Sequence, residues 1–237
     1  MTAARTVVLL RHARSVANAA SVLAGRSAGV GLDEVGVEQA AGLPGRLAEV
    51  PIARLVSSPL ERCLRTLAPL AEATGLTVEQ DPALAEVDYG EWTGRPLREL
   101  FGEPMWKTVQ GRPSAAVFPG GESLAAVSAR AVAALHRLIE TTTDDGALLI
   151  CSHGDVIKAL LADALGLHLD LFQRISVGPA SVSVIRFVEH RPFVERMGDN
   201  GTLSGIVAVP DPATPADQAV PGGDPGIPAP PTADPIH

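Results

Sequence analysis

The amino-acid sequence predicts an α/β fold, a doubly wound, mostly parallel sheet flanked by helices. Three observations carry that expectation. Apolar runs of strand length alternate along the chain with longer segments of helical pattern. Two of those runs, TVVLLR at residues 6–11 and ALLICS at 147–152, are dominated by apolar residues without alternation, the pattern of strands covered on both faces. Apolar residues make up 46% of the 237-residue chain and aromatics only 3%, so aliphatic side chains must fill the core.

The elements follow in order. Residues 6–11 form the first strand. Residues from about 34 to 49 have helical spacing, with Pro44 set to kink or split that helix because it lacks the N–H of a regular turn. A second strand occupies 54–57. Pro59 suits the first turn of the next helix, which runs to about Thr74 and stops at Gly75. A short strand is expected at 77–80, a long Ala-rich helix at 122–142, and the second buried strand at 147–152. A helix then runs to about Leu165, with Gly166 as its stop, and residues 181–187 and 193–197 read as a closing pair of strands.

Composition changes near Val209. From there to His237 stand nine prolines, four aspartates and no Lys or Arg, too little apolar surface to offset chain entropy. The sequence therefore divides into a folded body over residues 1–208 and a Pro/Asp-rich disordered tail over 209–237. The net charge of −8 and the lack of any Lys/Arg run argue against a nucleic-acid or acidic-membrane partner. Cys63 and Cys151 have no CxxC or CxxH neighbour, which speaks against a disulfide framework or a structural zinc and for a reduced, cytoplasmic protein. No apolar stretch approaches the roughly 18 residues of a membrane span, and residues 7–10 are too short a run for a secretory signal. Monomer and homodimer are both compatible with this composition.

Open α/β sheets bind ligands beyond the carboxyl ends of their strands. The first strand ends in Arg11-His12-Ala13-Arg14-Ser15, the second in Ser57-Ser58-Pro59 with Arg62 and Arg65 one turn further, and the strand at 147–152 in Ser152-His153-Gly154-Asp155. Glu86 lies in the segment ALAEVDYGEWTG. Any one of these is more simply a surface charge or a satisfied histidine. Charges that follow three separate strands have a common use: arginines bind phosphate, an imidazole attacks phosphorus, and a carboxylic acid protonates the leaving oxygen.

The run Leu10-Arg11-His12-Ala13-Arg14-Ser15 resembles the RHG signature of the histidine phosphatase superfamily, also called phosphoglycerate-mutase-like. Further segments match in order: Ala24-Gly25-Arg26; residues 57–66 (SSPLERCLRT); residues 84–94 (LAEVDYGEWTG); the PGGES segment at 119–123; and Ser152-His153-Gly154. The resemblance covers about residues 5–190. It implies His12 as a nucleophile that becomes phosphohistidine, Arg11, Arg62 and His153 around the phosphoryl group, and Glu86 as proton donor and then base. It also implies substrate-binding positions at Asn18, Arg14, Ser15, Gly25, Tyr89 and Gly154. No metal and no cofactor are implied; the partner is a small phosphorylated substrate. One position departs from the signature. Ala13 stands where the family has Gly, an exchange that imposes strain if the backbone there is left-handed or must approach the phosphate closely.

Mutases of the glycolytic type carry a longer, more basic insertion after the LxExxYG segment. Here Tyr89-Gly90 runs directly into Glu91-Trp92-Thr93-Gly94, and only Arg95, Arg98, Lys107 and Arg112 follow before PGGES. The short cap resembles that of broad-specificity and α-ribazole-type phosphatases. The expected activity is therefore phosphomonoester hydrolysis. A mutase-type phosphotransferase is the second reading and a non-catalytic phosphate-binding protein the third. Trp92, Trp106 and Phe118 are expected to anchor the cap rather than stack on substrate. A Ser or Cys hydrolase is disfavoured, since no GxSxG elbow exists and Cys151 falls inside a buried strand.

Overall fold

The structure, a computed structural model, describes residues 5–143 and 145–202. The expected tail at 209–237 and the boundary at 208 lie outside the described residues. The strands are β1 (Arg5–Arg11), β2 (Ile52–Ser57), β3 (Val78–Gln80), β4 (Ala147–Ser152), β5 (Val182–Val188) and β6 (Arg191–Asp199). They form one sheet in the order β3-β2-β4-β1-β5-β6. β3, β2, β4 and β1 run parallel, and β5 and β6 close one edge antiparallel. The mostly parallel sheet expected from the sequence is present, with the closing pair as its antiparallel edge.

The helices are α1 (Val16–Ala19), α2 (Glu34–Arg46), α3 (Glu61–Thr74), α4 (Leu97–Leu100), α5 (Trp106–Gly111), α6 (Leu124–Thr141) and α7 (Gly154–Ala164). The uninterrupted apolar runs of β1 and β4 are explained by the two cores they serve. Val7, Leu9, Leu148 and Ile150 pack on one face with Val127, Leu135 and Leu160 of α6 and α7. Val8, Leu10, Leu149 and Cys151 pack on the other with Leu43 of α2 and Cys63, Leu67 and Leu70 of α3. Side chains alternate across a strand, so a sheet covered on both faces needs apolar residues at every position. Cys63 and Cys151 are free and buried. No helix among the described residues is long and apolar enough to cross a membrane.

Three local expectations change. Pro44 neither splits nor ends α2; the helix runs on to Arg46, and the cap residue Leu47 donates to Leu43 O over 2.9 Å. A proline so near the end removes one helical bond without interrupting a long run. Pro59 lies outside α3, which begins at Glu61 behind an extended Leu60, because Ser58 Oγ accepts from Leu60 N at 3.3 Å. α6 starts at Leu124, two residues later than expected, where Ser123 caps it by accepting from Ala126 N.

The cap, roughly residues 93–120, joins the same core. Trp92, Trp106 and Phe118 are buried, with Trp92 edge-on to Phe118 at 5.3 Å and stacked on Trp106 at 6.2 Å, so they anchor the cap as expected. The PGGES glycine Gly121 and Gly90 allow two chain segments to cross. A Cβ at Gly90, which has φ +52, would lie 2.0 Å from Pro119 O, and one at Gly121 2.2 Å from Asp88 O. No side chain fits at either crossing.

Candidate active site

β1 and β4 are adjacent and parallel, with Arg11 opposite Ser152, so both strands deliver their last residues to the same sheet edge. His12 N donates to Ser152 O at 2.9 Å, which brings the two histidines together. Their ring centroids are 5.2 Å apart. β2 ends beside β4, and α3 turns Arg62 back over the edge. Its Nε donates to His12 Nε2 at 3.3 Å, while Nη2 reaches His153 Nδ1 at 3.1 Å and Gly25 O at 2.8 Å. Nη1 is buried and has no hydrogen-bond partner among the described residues. Arg11 donates through Nη1 to Val177 O at 2.8 Å. Glu86 enters from the loop beyond β3. None of the five side chains is more than 3% exposed.

A guanidinium only donates, so its partners assign the histidine tautomers. His12 Nε2 accepts from Arg62 and therefore carries a lone pair, and Nδ1–H donates to Ala13 O at 2.8 Å. His153 Nδ1 accepts from Arg62, and Nε2–H donates to Ser58 Oγ at 2.7 Å. Burial, and then the Arg62 cation, holds both imidazoles well below the ordinary histidine range, so both are neutral. Glu86 moves the other way. Burial first, then the charge of Asp155, lifts its carboxyl to about 7, against the pull of Arg62 and Arg11. The site thus pairs an unprotonated ring nitrogen with a carboxylic acid that holds its proton near neutrality.

The remaining predicted positions divide. Arg14, partly exposed, donates through Nε to Asp33 at 2.7 Å. Ser15 and Asn18 cap α1 for one another: Ser15 Oγ donates to Asn18 Oδ1 at 2.8 Å and accepts from Asn18 N at 3.2 Å. Gly25 supplies a carbonyl to Arg62, and Gly154 is the buried first residue of α7. Tyr89 is held away from solvent beside the site. Its ring is fully buried edge-on against Phe118, and its hydroxyl donates to Asp155 at 2.7 Å.

Ala13 is not in the left-handed region, so the backbone strain considered from the signature is not present there. Among the described residues the non-glycine positions with positive φ are Ser21, Ala180 and Glu189. Ala13 packs with Leu32, Ala40 and Ala180, and its N–H donates to Thr66 Oγ1 at 2.9 Å.

Several supporting residues were given no role from the sequence. Ser58 orients His153; it stood in the strand-end triplet that marked the site. Glu122, in the PGGES segment, pairs with both Arg26 and Arg130. Those two arginines donate to Glu86 O at 2.8 and 3.1 Å, clamping the backbone that carries the acid. Arg130 sits mid-helix and leaves no local signal. Among the described residues no cluster of His, Cys, Asp and Glu could hold a metal ion.

The family model for the histidine phosphatase superfamily (branch 1) matches residues 7–200. The chain belongs to that superfamily. A Yersinia pestis protein named "Probable phosphoglycerate mutase GpmB" is 33% identical over 186 residues, 77% of this chain and 85% of its own. A mycobacterial glucosyl-3-phosphoglycerate phosphatase superimposes with a TM-score of 0.75 at 26% identity, covering 83% of this chain and 100% of that one. Bacillus stearothermophilus YhfR does so with a TM-score of 0.77 at 26% identity, over 82% and 97%. In this histidine phosphatase superfamily member the two neutral imidazoles lie buried around Arg62 at the sheet edge.

Proposed function

We propose that the protein is a phosphomonoester hydrolase acting through a phosphohistidine on a small phosphorylated metabolite. The observation that carries this reading is the lone pair on His12 Nε2, held beside the Arg62 guanidinium. His12 Nε2 attacks phosphorus, the P–O ester bond breaks, and its electron pair leaves on the alkoxide oxygen, which takes the Glu86 proton. Arg62 and Arg11 stabilise the charge that develops on the phosphoryl oxygens. The dianion binds together with one proton from solvent, which goes to His153 Nδ1; the bond that this nitrogen accepted from Arg62 Nη2 is given up, and both groups then donate to phosphoryl oxygens. Water next attacks phosphorus and gives its proton to the Glu86 carboxylate; the P–N bond breaks and the lone pair returns to His12. We assign Arg14, Asn18 and the α7 amides around Gly154 to the rest of the substrate.

Hydrolysis is favoured over transfer by the cap. Arg95 is paired with Glu99 and Glu103, so it is committed to the cap rather than to a second acidic group of a substrate. The mutase reading draws support from the name of the Yersinia relative. We place the protein in the cytoplasm, a compartment that suits two free thiols, and its acidic net charge of −8 supports small phosphoesters over nucleic acid as partners.

The test is a quench experiment with a 32P-labelled phosphomonoester. Wild-type protein should retain an acid-labile, base-stable label that His12→Asn lacks. An acid-stable label, or an equal label in the variant, would overturn the reading. Incubation with 3-phosphoglycerate should release orthophosphate without forming the 2-isomer; isomer formation would instead establish the mutase.

A further inference from the structure

The loop that carries Glu86, residues 85–89, has neither helix nor strand, and side chains from elsewhere in the chain hold its backbone. Arg26 Nε donates to Glu86 O at 2.8 Å. Arg130, from α6, donates through Nη2 to the same oxygen at 3.1 Å and through Nη1 to Ala83 O at 2.6 Å. Two guanidinium cations on one carbonyl oxygen repel each other. Glu122 lies between them. Its Oε2 accepts from Arg26 Nη2 at 2.8 Å, from Arg130 Nη2 at 3.0 Å and from Asp88 N at 3.0 Å, and its Oε1 accepts from Arg130 Nε at 3.0 Å. The Glu86 carboxyl accepts from Val87 N, its own neighbour, at 3.0 Å, so its place follows from where this backbone is held. The other end of the clasp reaches the nucleophile: Gly25, next to Arg26, accepts from Arg62 Nη2, and Arg62 Nε is on His12.

We propose that Arg26 and Glu122 are positioning residues for the proton transfer: Arg26 holds the Glu86 backbone while its neighbour Gly25 holds Arg62, and Glu122 locks Arg26 and Arg130 together, so that acid and nucleophile keep a fixed separation. This rests on the reading of Glu86 as the proton donor. Neither positioning residue gives up a proton; the one that reaches the alkoxide is that of Glu86. A general acid works only within hydrogen-bond reach of the leaving oxygen. A displacement of about 1 Å costs on the order of 10²-fold in rate. A leaving group that departs without a proton is insensitive to that displacement, whereas a general loosening of the site slows every substrate. With side chains 38% and 24% exposed, the Arg26–Glu122 pair contributes little to stability, so its loss is read in the rate rather than in folding.

The experiment measures single-turnover phosphoryl transfer by the full chain on two substrates: glycerol 3-phosphate, which leaves an alkoxide, and p-nitrophenyl phosphate, whose leaving group hardly needs a proton. Glu122→Gln should lose about tenfold or more on glycerol 3-phosphate and far less on p-nitrophenyl phosphate, with the apparent Kd for both little changed. Arg26→Gln, at a more exposed side chain, should show the same split. Arg26→Lys should not restore the rate, because an ammonium cannot span Glu86 O and Glu122 together. Added to Glu86→Gln, Glu122→Gln should bring no further loss on glycerol 3-phosphate, since the acid it places is gone. Equal losses on the two substrates in whichever variant folds, or a loss that adds in full to that of Glu86→Gln, overturns the proposal. If Glu86→Gln itself slows both substrates alike, the acid reading falls and the proposal with it. If Glu86→Gln discriminates between the substrates and Glu122→Gln and Arg26→Gln do not, the proposal alone falls.

Discussion

Arg62 Nε donates to His12 Nε2 across 3.3 Å, and that one bond identifies the ring nitrogen that is free of its proton. The other nitrogen is committed to the carbonyl of Ala13. A backbone carbonyl and a guanidinium thus orient the same imidazole from opposite sides, and the guanidinium also reaches His153 and Gly25.

Arg62 should therefore matter beyond its charge. Arg62→Ala is expected to lose roughly 10²–10³ in kcat/KM, the scale of one charged donor at a developing anion. Arg62→Lys should recover only part of it, because a point charge cannot span His12, His153 and Gly25 together. Steady-state kinetics checks both, and full activity in Arg62→Lys would exclude the fork as a determinant.

Glu86→Gln separates acid catalysis from charge. An alkoxide leaving group needs a proton as the P–O bond breaks; a nitrophenolate hardly does. Single-turnover rates of phosphoryl transfer to His12 should fall far more on an alkyl phosphate than on p-nitrophenyl phosphate, and the alkaline limb near pH 7 should disappear. Equal losses on the two substrates would exclude the acid role.

The same substitution should raise stability under alkaline conditions. Glu86 is raised from 4.5 to about 7 in the fold, so its contribution is fully present below pH 4.5 and is lost as pH rises through about 7. Glu86→Gln should gain up to ~3 kcal/mol over wild type at pH 8 and nothing at pH 4. Denaturant unfolding of both proteins at the two pH values checks it. His12 and His153 act in the opposite sense. They are buried neutral, so the stability they contribute is present above pH 6.5 and lost as pH falls.

Ala13→Gly restores the superfamily signature and should bring no gain. The methyl group already packs with Leu32, Ala40 and Ala180, and the backbone there is not left-handed. Activity should stay within about twofold, while stability falls by about 1 kcal/mol from lost packing and added chain entropy. A large rise in kcat would show that the alanine hinders the site.

The sequence by itself determined which strands are central and where each ends. An apolar run without alternation is a local property, imposed by a sheet covered on both faces, and the first polar residue after it marks the sheet edge. His12, Ser58 and His153 are legible for that reason, and Gly75 and Gly166 as helix stops for similarly local ones. Only the tertiary structure decided what surrounds those residues. Arg130 meets Glu86 across 44 positions, Arg26 across 60, and Tyr89 meets Asp155 across 66, with no pattern in any local window to announce the contact. That the Tyr89 hydroxyl is bonded to Asp155 is likewise invisible in the sequence. Pro44 looked like a break and is absorbed near a helix end. The ionisation of His12 and Glu86 belongs to the same class. Desolvation and the fields of Arg11, Arg62 and Asp155 act through space, and they exist only once four distant segments have packed together.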